Sequence, residues 1–226
     1  MTRASPARQE ELFDVGAAQT LRREPLEPGA FVLRAFASDE APALLDCIQA
    51  VAQQAPFRHM ETPRGLMSVA MTNCGEAGWV SNRRGYRYDA IDPETHRAWQ
   101  AMPDAFTQLA RRAAGAAGFD GFMPNACLIN RYEPGTRLTL HQDRDEQDFA
   151  APIVSVSLGA PATFLWGGAL RTQRPRRVPL QHGDVVVWGG PARLHFHGVD
   201  TLRQGHDALT GSARFNLTFR RAVLKR

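Results

Sequence analysis

The amino-acid sequence predicts an α+β domain in which a jelly roll of antiparallel strands fills the C-terminal half and helices from the N-terminal half pack on one outer sheet. Three observations predict it. From about residue 125 onward, short β-type runs alternate with turn signals such as P-G and G-G, at a number and spacing that suit a jelly roll. Before that point, two segments carry apolar residues at helical spacing. The chain has 226 residues, enough for one well-filled core, and shows no internal repeat or interdomain linker. The expected organisation is a loosely ordered extension over residues 1–24 and a single domain over 25–226.

The extension is polar and Pro-punctuated, with one short helical turn expected near Leu12 and Phe13. FVLRAF (31–36) reads as a strand. Ser38 is placed as the N-cap of a helix that carries Leu44, Leu45, Ile48 and Val51 on one face. A second helix is expected from Pro103 to Ala117, with Phe106, Leu109 and Ala113 inward and Gly118 as its stop. Between them, residues 57–99 are rich in Gly, Pro, Asn, Arg and aromatics, with a short strand at 67–73, and read as a lid or binding segment. The predicted strands of the β core (about 125–221) are 126–132, 136–140, 153–158, 163–166, 177–180, 182–188, 194–197 and 214–220.

Composition narrows the function classes. No apolar run approaches the roughly 20 residues needed to cross a bilayer, and the N-terminus lacks the apolar segment of a secretory signal, so a soluble, cytoplasmic monomer is expected. Cys47, Cys74 and Cys127 are widely spaced and odd in number, which argues against a disulfide framework and a structural zinc site. The formal charge is +4, carried almost entirely by Arg, with clusters at Arg83, Arg84 and Arg87, at Arg111 and Arg112, and from Arg171 to Arg177. Guanidinium forks match phosphate geometry, so a polyanionic partner fits, as does a solvated basic face. Trp79, Tyr86 and Tyr88 interleave with the first cluster, a pattern able to stack a base and hold phosphates.

The chemistry centres on LTLHQDRD (138–145). On an extended strand, residues i and i+2 share a face, so His141 and Asp143 converge. Two His and one carboxylate with open positions form the facial triad of non-haem Fe(II) oxygenases. His195 and His197 are both candidates for the third ligand. His197 is preferred because it stands at a strand end before Gly198, whereas His182 reads as a turn residue and His59, His96 and His206 lack a partner nearby. RFNLTFR (214–220) alternates without a break: Arg214, Asn216, Thr218 and Arg220 on one face, Phe215, Leu217 and Phe219 on the other. Guanidiniums facing the interior require an anion, and a dicarboxylate would satisfy both. Asn130 and Tyr132 share a face and could donate to the same anion.

These motifs, with IVSVSLG, HGDVVVWGG, HGV and MSVAMTNCG, resemble the AlkB family of Fe(II)- and 2-oxoglutarate-dependent dioxygenases, above all its bacterial members, over nearly everything after residue 25. The resemblance implies a double-stranded β-helix (jelly roll) core with a nucleotide-recognition lid. It also implies His141, Asp143 and His197 as catalytic iron ligands, and Arg214 and Arg220 on the two carboxylates of 2-oxoglutarate, assisted by Asn130, Tyr132 and Asn216. On the substrate side it implies a damaged base against Trp79 and His141, Tyr86 at a phosphate, Asp145 near the base edge, and Arg144, Met67 and Trp188 as further substrate-binding residues. Fe(II), 2-oxoglutarate and O2 are the implied cofactor and co-substrates. The implied reaction is oxidative demethylation of N-alkylated bases such as 1-methyladenine and 3-methylcytosine in single- or double-stranded DNA, with RNA as a second polymer, releasing formaldehyde, succinate and CO2. Arg144, Trp166 and His195 depart from the family pattern and bear on pocket shape. A hydroxylase of protein or metabolite would keep the triad without a basic aromatic lid, and a non-catalytic nucleic-acid binder would not need the triad.

Overall fold

A computed structural model describes residues 22–63 and 65–224, so the helical turn expected near Leu12 lies outside the described residues. In chain order the elements are β1 (Arg23–Glu27), β2 (Ala30–Leu33), α1 (Ala41–Gln54), β3 (Arg58–Thr62), β4 (Gly65–Gly75), β5 (Gly78–Asn82), β6 (Gly85–Asp89) and α2 (Asp104–Ala116). The β core adds β7 (Ala126–Tyr132), β8 (Leu138–His141), β9 (Ile153–Gly159), β10 (Ala162–Trp166), β11 (Arg176–Leu180), β12 (Val185–Trp188), β13 (His197–Val199) and β14 (Arg214–Arg220).

Two sheets face one another. The major sheet runs β1-β2-β12-β9-β14-β7-β4-β3 and the minor sheet β11-β10-β13-β8, while β5 and β6 form a separate two-stranded sheet. Strand alternation sorts the side chains of the major sheet into two cores. Cys127, Ile129, Val154, Val156, Leu158, Val185, Val187, Leu217 and Phe219 point outward and are covered by Leu44, Ile48 and Val51 of α1 and Phe106, Leu109 and Ala113 of α2. Phe219 meets Phe106 edge-on at 5.8 Å, a geometry that adds about 0.5–1.5 kcal/mol beyond the area buried. The opposite face, with Val32, Leu128, Tyr132, Ile153, Val186 and Trp188, meets Phe164, Trp166, Val178 and Val199 of the minor sheet. The helices therefore seal the outer face and leave the space between the sheets for the polar side of β14.

Strand alternation and helix periodicity locate β7, β14 and α2 closely. Helix α2 stops as Gly118 predicts: Gly118 takes φ 91°, its N–H donates to Gly115, and the N–H of Phe119 donates to Ala114, which satisfies the last carbonyls. Four expectations need correction. Strand β1 starts at Arg23, inside the stretch read as an extension to residue 24. Ser38 is not the cap of α1: Glu40 is, with a proline in the first turn, and the Ser38 hydroxyl lies 3.5 Å from the His182 carbonyl. Segment 57–99 is not mainly loop, because β3 and β4 extend the major sheet and β4 pairs with β7 from Ala70 to Gly75. The run 194–197 is not a strand: a 3-10 turn at Gly190–Ala192 leads into it and pairing starts only at His197.

Candidate active site

Strand pairing builds the site. His197 on β13 stands directly opposite His141 on β8, and their rings lie 4.4 Å apart. Asp143, two residues past the end of β8, completes a group whose donor atoms all lie within 4.8 Å of one another. Its Oδ1 is 3.6 Å from His141 Nε2 and 3.7 Å from His197 Nε2. A backbone carbonyl can only accept, so His141 Nδ1–H donates to Thr139 (2.8 Å) and His197 Nδ1–H to His195 (3.0 Å). Both Nε2 lone pairs are thereby aimed at one point, as metal-ligating histidines require. His197 is 5 % exposed, and burial next to His141 pushes its pKa down to about 3, so it is a neutral ligand. Burial alone would raise the Asp143 carboxyl, but Arg220 and the two histidines outweigh it and hold it well below the usual carboxylate range. Two imidazole nitrogens and one carboxylate oxygen suit Fe(II) with positions left over for a co-substrate. His195 turns away: its Nδ1 is 2.6 Å from Glu27 and its ring lies beside Trp166, whose Nε1 also donates to Glu27.

The polar face of β14 lies beside this group. Arg214 is 1 % exposed, with its guanidinium over the Tyr132 ring at 5.0 Å and one hydrogen bond to Ser157. Its Nε and Nη1, the Tyr132 hydroxyl and the Asn130 side-chain Oδ1 are buried without a hydrogen-bond partner among the described residues. Burial pushes Arg214 below its ordinary value, and an unmatched buried cation is costly. The orphaned fork fits one carboxylate of 2-oxoglutarate. Asn216 instead donates to Ser155 and Val156 and braces Asn130. Arg220 departs from the expected symmetry with Arg214: its Nε and Nη2 bind Asp143 Oδ2 at 2.8 and 2.7 Å.

The lid hairpin β5–β6 is tied to the site by side chains. The Asn73 amide brackets the Trp79 backbone with two 3.0 Å hydrogen bonds, standing in for a strand edge. Trp79 Nε1 donates to Asp145, two residues beyond Asp143, and the indole stacks on Tyr86 at 5.4 Å. Met67 is partly buried in the same apolar cluster as Trp79. Tyr86 is 50 % exposed, Arg144 and Asp145 are exposed, and a hollow of about 390 Å³ lies among Asn82, Arg84, Gly85, Tyr86 and Arg87. Trp188 is 1 % exposed and packs 4.8 Å from His197, because β12 turns it into the space between the sheets.

Glu146 and Arg193, both buried, went unnoticed in the sequence. Arg193 donates to the Asp143 carbonyl, and Glu146 accepts from Tyr88. Nothing local marks Arg193, while Glu146 carries the weak signal of standing three residues after Asp143 in an acidic run.

Comparison with known proteins agrees with this geometry. Residues 29–220 match the family described as the 2OG-Fe(II) oxygenase superfamily. The chain is 56% identical over 215 residues to the alpha-ketoglutarate-dependent dioxygenase AlkB of Escherichia coli strain K12, covering 95% of this chain and all of that protein. It is 54% identical over 215 residues to the protein of the same name from Salmonella typhimurium, with the same coverage. Among solved structures it is similar to OsALKBH1, with a TM-score of 0.78 and 28% identity over 88% of this chain and 99% of that one. The chain therefore belongs to the 2OG-Fe(II) oxygenase superfamily and, within it, to the AlkB family of dioxygenases that use Fe(II), 2-oxoglutarate and O2.

Proposed function

We propose that this dioxygenase is a nucleic-acid dealkylase that removes N-alkyl groups, such as the methyls of 1-methyladenine and 3-methylcytosine, from single- or double-stranded DNA, with RNA as a second polymer. We further propose that it acts as a monomer in the cytoplasm. One observation carries the substrate reading: the Trp79 indole, stacked on half-exposed Tyr86, is hydrogen-bonded to Asp145 two residues from the metal-ligand carboxylate. An aromatic platform beside an oxidising centre, flanked by exposed Arg84, Arg87 and Arg144, suits an extruded base whose phosphates remain outside. The E. coli and Salmonella relatives support the same reading, as does a mouse relative named nucleic acid dioxygenase ALKBH1.

Bound iron with 2-oxoglutarate and O2 would supply hydroxylation of an N-alkyl carbon, the alkyl group leaving as an aldehyde and the co-substrate as succinate and CO2. His141, Asp143 and His197 would hold the metal, and the Arg214 fork with the Tyr132 hydroxyl would take one carboxylate of the co-substrate, the second N–H of the Asn130 amide nitrogen being the only donor that residue can add. The protein's part in the reaction is positional. Trp79, backed by Tyr86, stacks the base against His141, Tyr86 reaches a phosphate, Asp145 accepts from a base edge, and Trp188 and Phe164 keep water from the inner side of His197. A methyl on the Watson–Crick edge weakens pairing, so a damaged base is cheaper to extrude than an intact one.

The test is mass spectrometry of oligonucleotides carrying single methylated bases, incubated with protein, Fe(II) and 2-oxoglutarate. The expected result is loss of one methylene mass per lesion with matching succinate. Succinate formation without change in any oligonucleotide would mean that the substrate is of another class.

A further inference from the structure

We propose that Glu146 is a positioning residue for the metal site and that Tyr88 is the lid's link to it. Asp143, Glu146, Arg193 and Arg220 are respectively 7, 5, 3 and 5 % exposed, so two carboxylates and two guanidiniums are buried together. Such groups are tolerated only when mutually paired, and here the pairing closes into a ring. Arg220 takes Asp143 Oδ2 through Nε and Nη2, which leaves Oδ1 as the oxygen facing the two histidines. Arg220 Nε lies 3.3 Å from Glu146 Oε1, and Glu146 Oε2 accepts from Arg193 Nη2 at 3.2 Å. Arg193 returns to the start by donating to the Asp143 carbonyl at 2.8 Å, and its Nε donates to Ala151. The ring thus fixes both the backbone and the side-chain rotamer of Asp143 and selects which carboxylate oxygen meets the metal.

Glu146 is the member without which this fails. It supplies the second negative charge: two guanidiniums facing Asp143 alone would leave excess positive charge beside a site that must accept a dication. The Tyr88 hydroxyl, from β6 of the lid hairpin, donates to Glu146 Oε1 at 2.8 Å. The lid therefore touches the metal-ligand carboxylate through Tyr88, Glu146 and Arg220, a route separate from the one by which Trp79 reaches Asp145. The Tyr88 half rests on the reading of the lid as the substrate segment, whereas the Glu146 half needs only the metal site.

The experiment titrates metal-free protein with Co(II), reading its visible absorption, in wild type, Glu146→Gln and Tyr88→Phe. Gln keeps the shape of Glu but removes the charge, and Phe removes one hydroxyl at no charge. Glu146→Gln should weaken Co(II) binding by about ten- to a hundredfold and alter the spectrum, the range seen when partners that orient a ligand are lost. Tyr88→Phe should weaken it by a few-fold and raise the succinate formed per base repaired. Wild-type affinity and spectrum in Glu146→Gln would overturn the proposal. If Glu146→Gln shows no cooperative melt, Tyr88→Phe decides: wild-type Co(II) affinity, spectrum and coupling in that variant would overturn it. The Co(II) readout uses no oligonucleotide, so an error in the substrate class would leave it intact.

Discussion

The two arginines of β14 share a face yet meet different partners, and that difference separates two variants that look alike. Arg214→Lys keeps the charge but loses the fork, so half-saturation by 2-oxoglutarate should rise by about ten- to a hundredfold, corresponding to roughly 1.5–3 kcal/mol for charge-assisted hydrogen bonds, with Co(II) affinity unchanged. Arg220→Lys should instead weaken Co(II) binding, because Arg220 holds Asp143 Oδ2. Parallel measurement of metal titration and co-substrate dependence checks the pair, and equal behaviour of the two variants would reject the distinction. At this scale the sequence shows which residues can carry chemistry. His141 and Asp143 are two apart on a strand, and Arg214 and Arg220 sit on the polar side of an unbroken alternation, so local geometry is enough to find them. Glu146 and Arg193 are 47 positions apart and meet only through folding, and the partner that Glu27 provides for His195 lies far away on β1. No local pattern encodes such contacts.

Among the elements, the hairpin β5–β6 is where tertiary structure adds most to sequence. Interleaved aromatics and arginines point to a binding segment, but the residues split between those that face outward and those that root it. Trp99 belongs to the second kind: it is 6 % exposed, donates to the Asp89 carbonyl, and lies so close to Gly78 that an added Cβ would stand 2.4 Å from its ring. Gly78→Ala should therefore destabilise the protein by about 1–3 kcal/mol, visible as a lowered denaturation midpoint. Trp79→Ala should act differently. Loss of a stacking platform costs roughly 1–3 kcal/mol, so repair of methylated oligonucleotides should fall by about ten- to a hundredfold while substrate-independent succinate formation persists. A parallel fall in both would make Trp79 a core residue. The inner strands of the major sheet, such as β7 and β14, were legible because one face of each is apolar and covered by helices while the other turns to the space between the sheets, which enforces the period of two. Strands β1 and β3 were not, since each lies at an edge of the major sheet and carries little of that pattern.

For the whole molecule, the metal site sets how stability responds to acid. His197 stays neutral in the folded metal-free protein down to about pH 3, whereas an unfolded His protonates near 6.5, so below that value the unfolded chain binds the extra proton. Stability from this group is complete above about pH 6.5 and declines as pH falls toward 3. Asp143 is held below its ordinary value of 3.8, so its contribution is complete above about that pH and is lost as pH falls from there through its folded value. The melting temperature of chelated protein should accordingly drop between pH 7 and 5, and His197→Gln should flatten that slope. Restoring metal and 2-oxoglutarate should raise the midpoint, by the equivalent of about 2.7 kcal/mol when one ligand stands at a hundred times its Kd.

Among the described residues the hairpin β5–β6 pairs only with itself and is held to the barrel by side chains, chiefly the Asn73 amide on Trp79, buried Val80 and the Tyr88 hydroxyl on Glu146. Such an attachment lets heredity treat it as a cassette. The exposed residues between these pins, Arg83, Arg84, Tyr86 and Arg87, can drift without disturbing a single ladder hydrogen bond of the jelly roll, so the range of accepted lesions can diversify while the oxidising machinery stays the same. A hairpin transplanted from a distant relative, with Gly78, Trp79, Val80 and Tyr88 retained, should change which damaged bases are accepted and leave the melting of the barrel where it was.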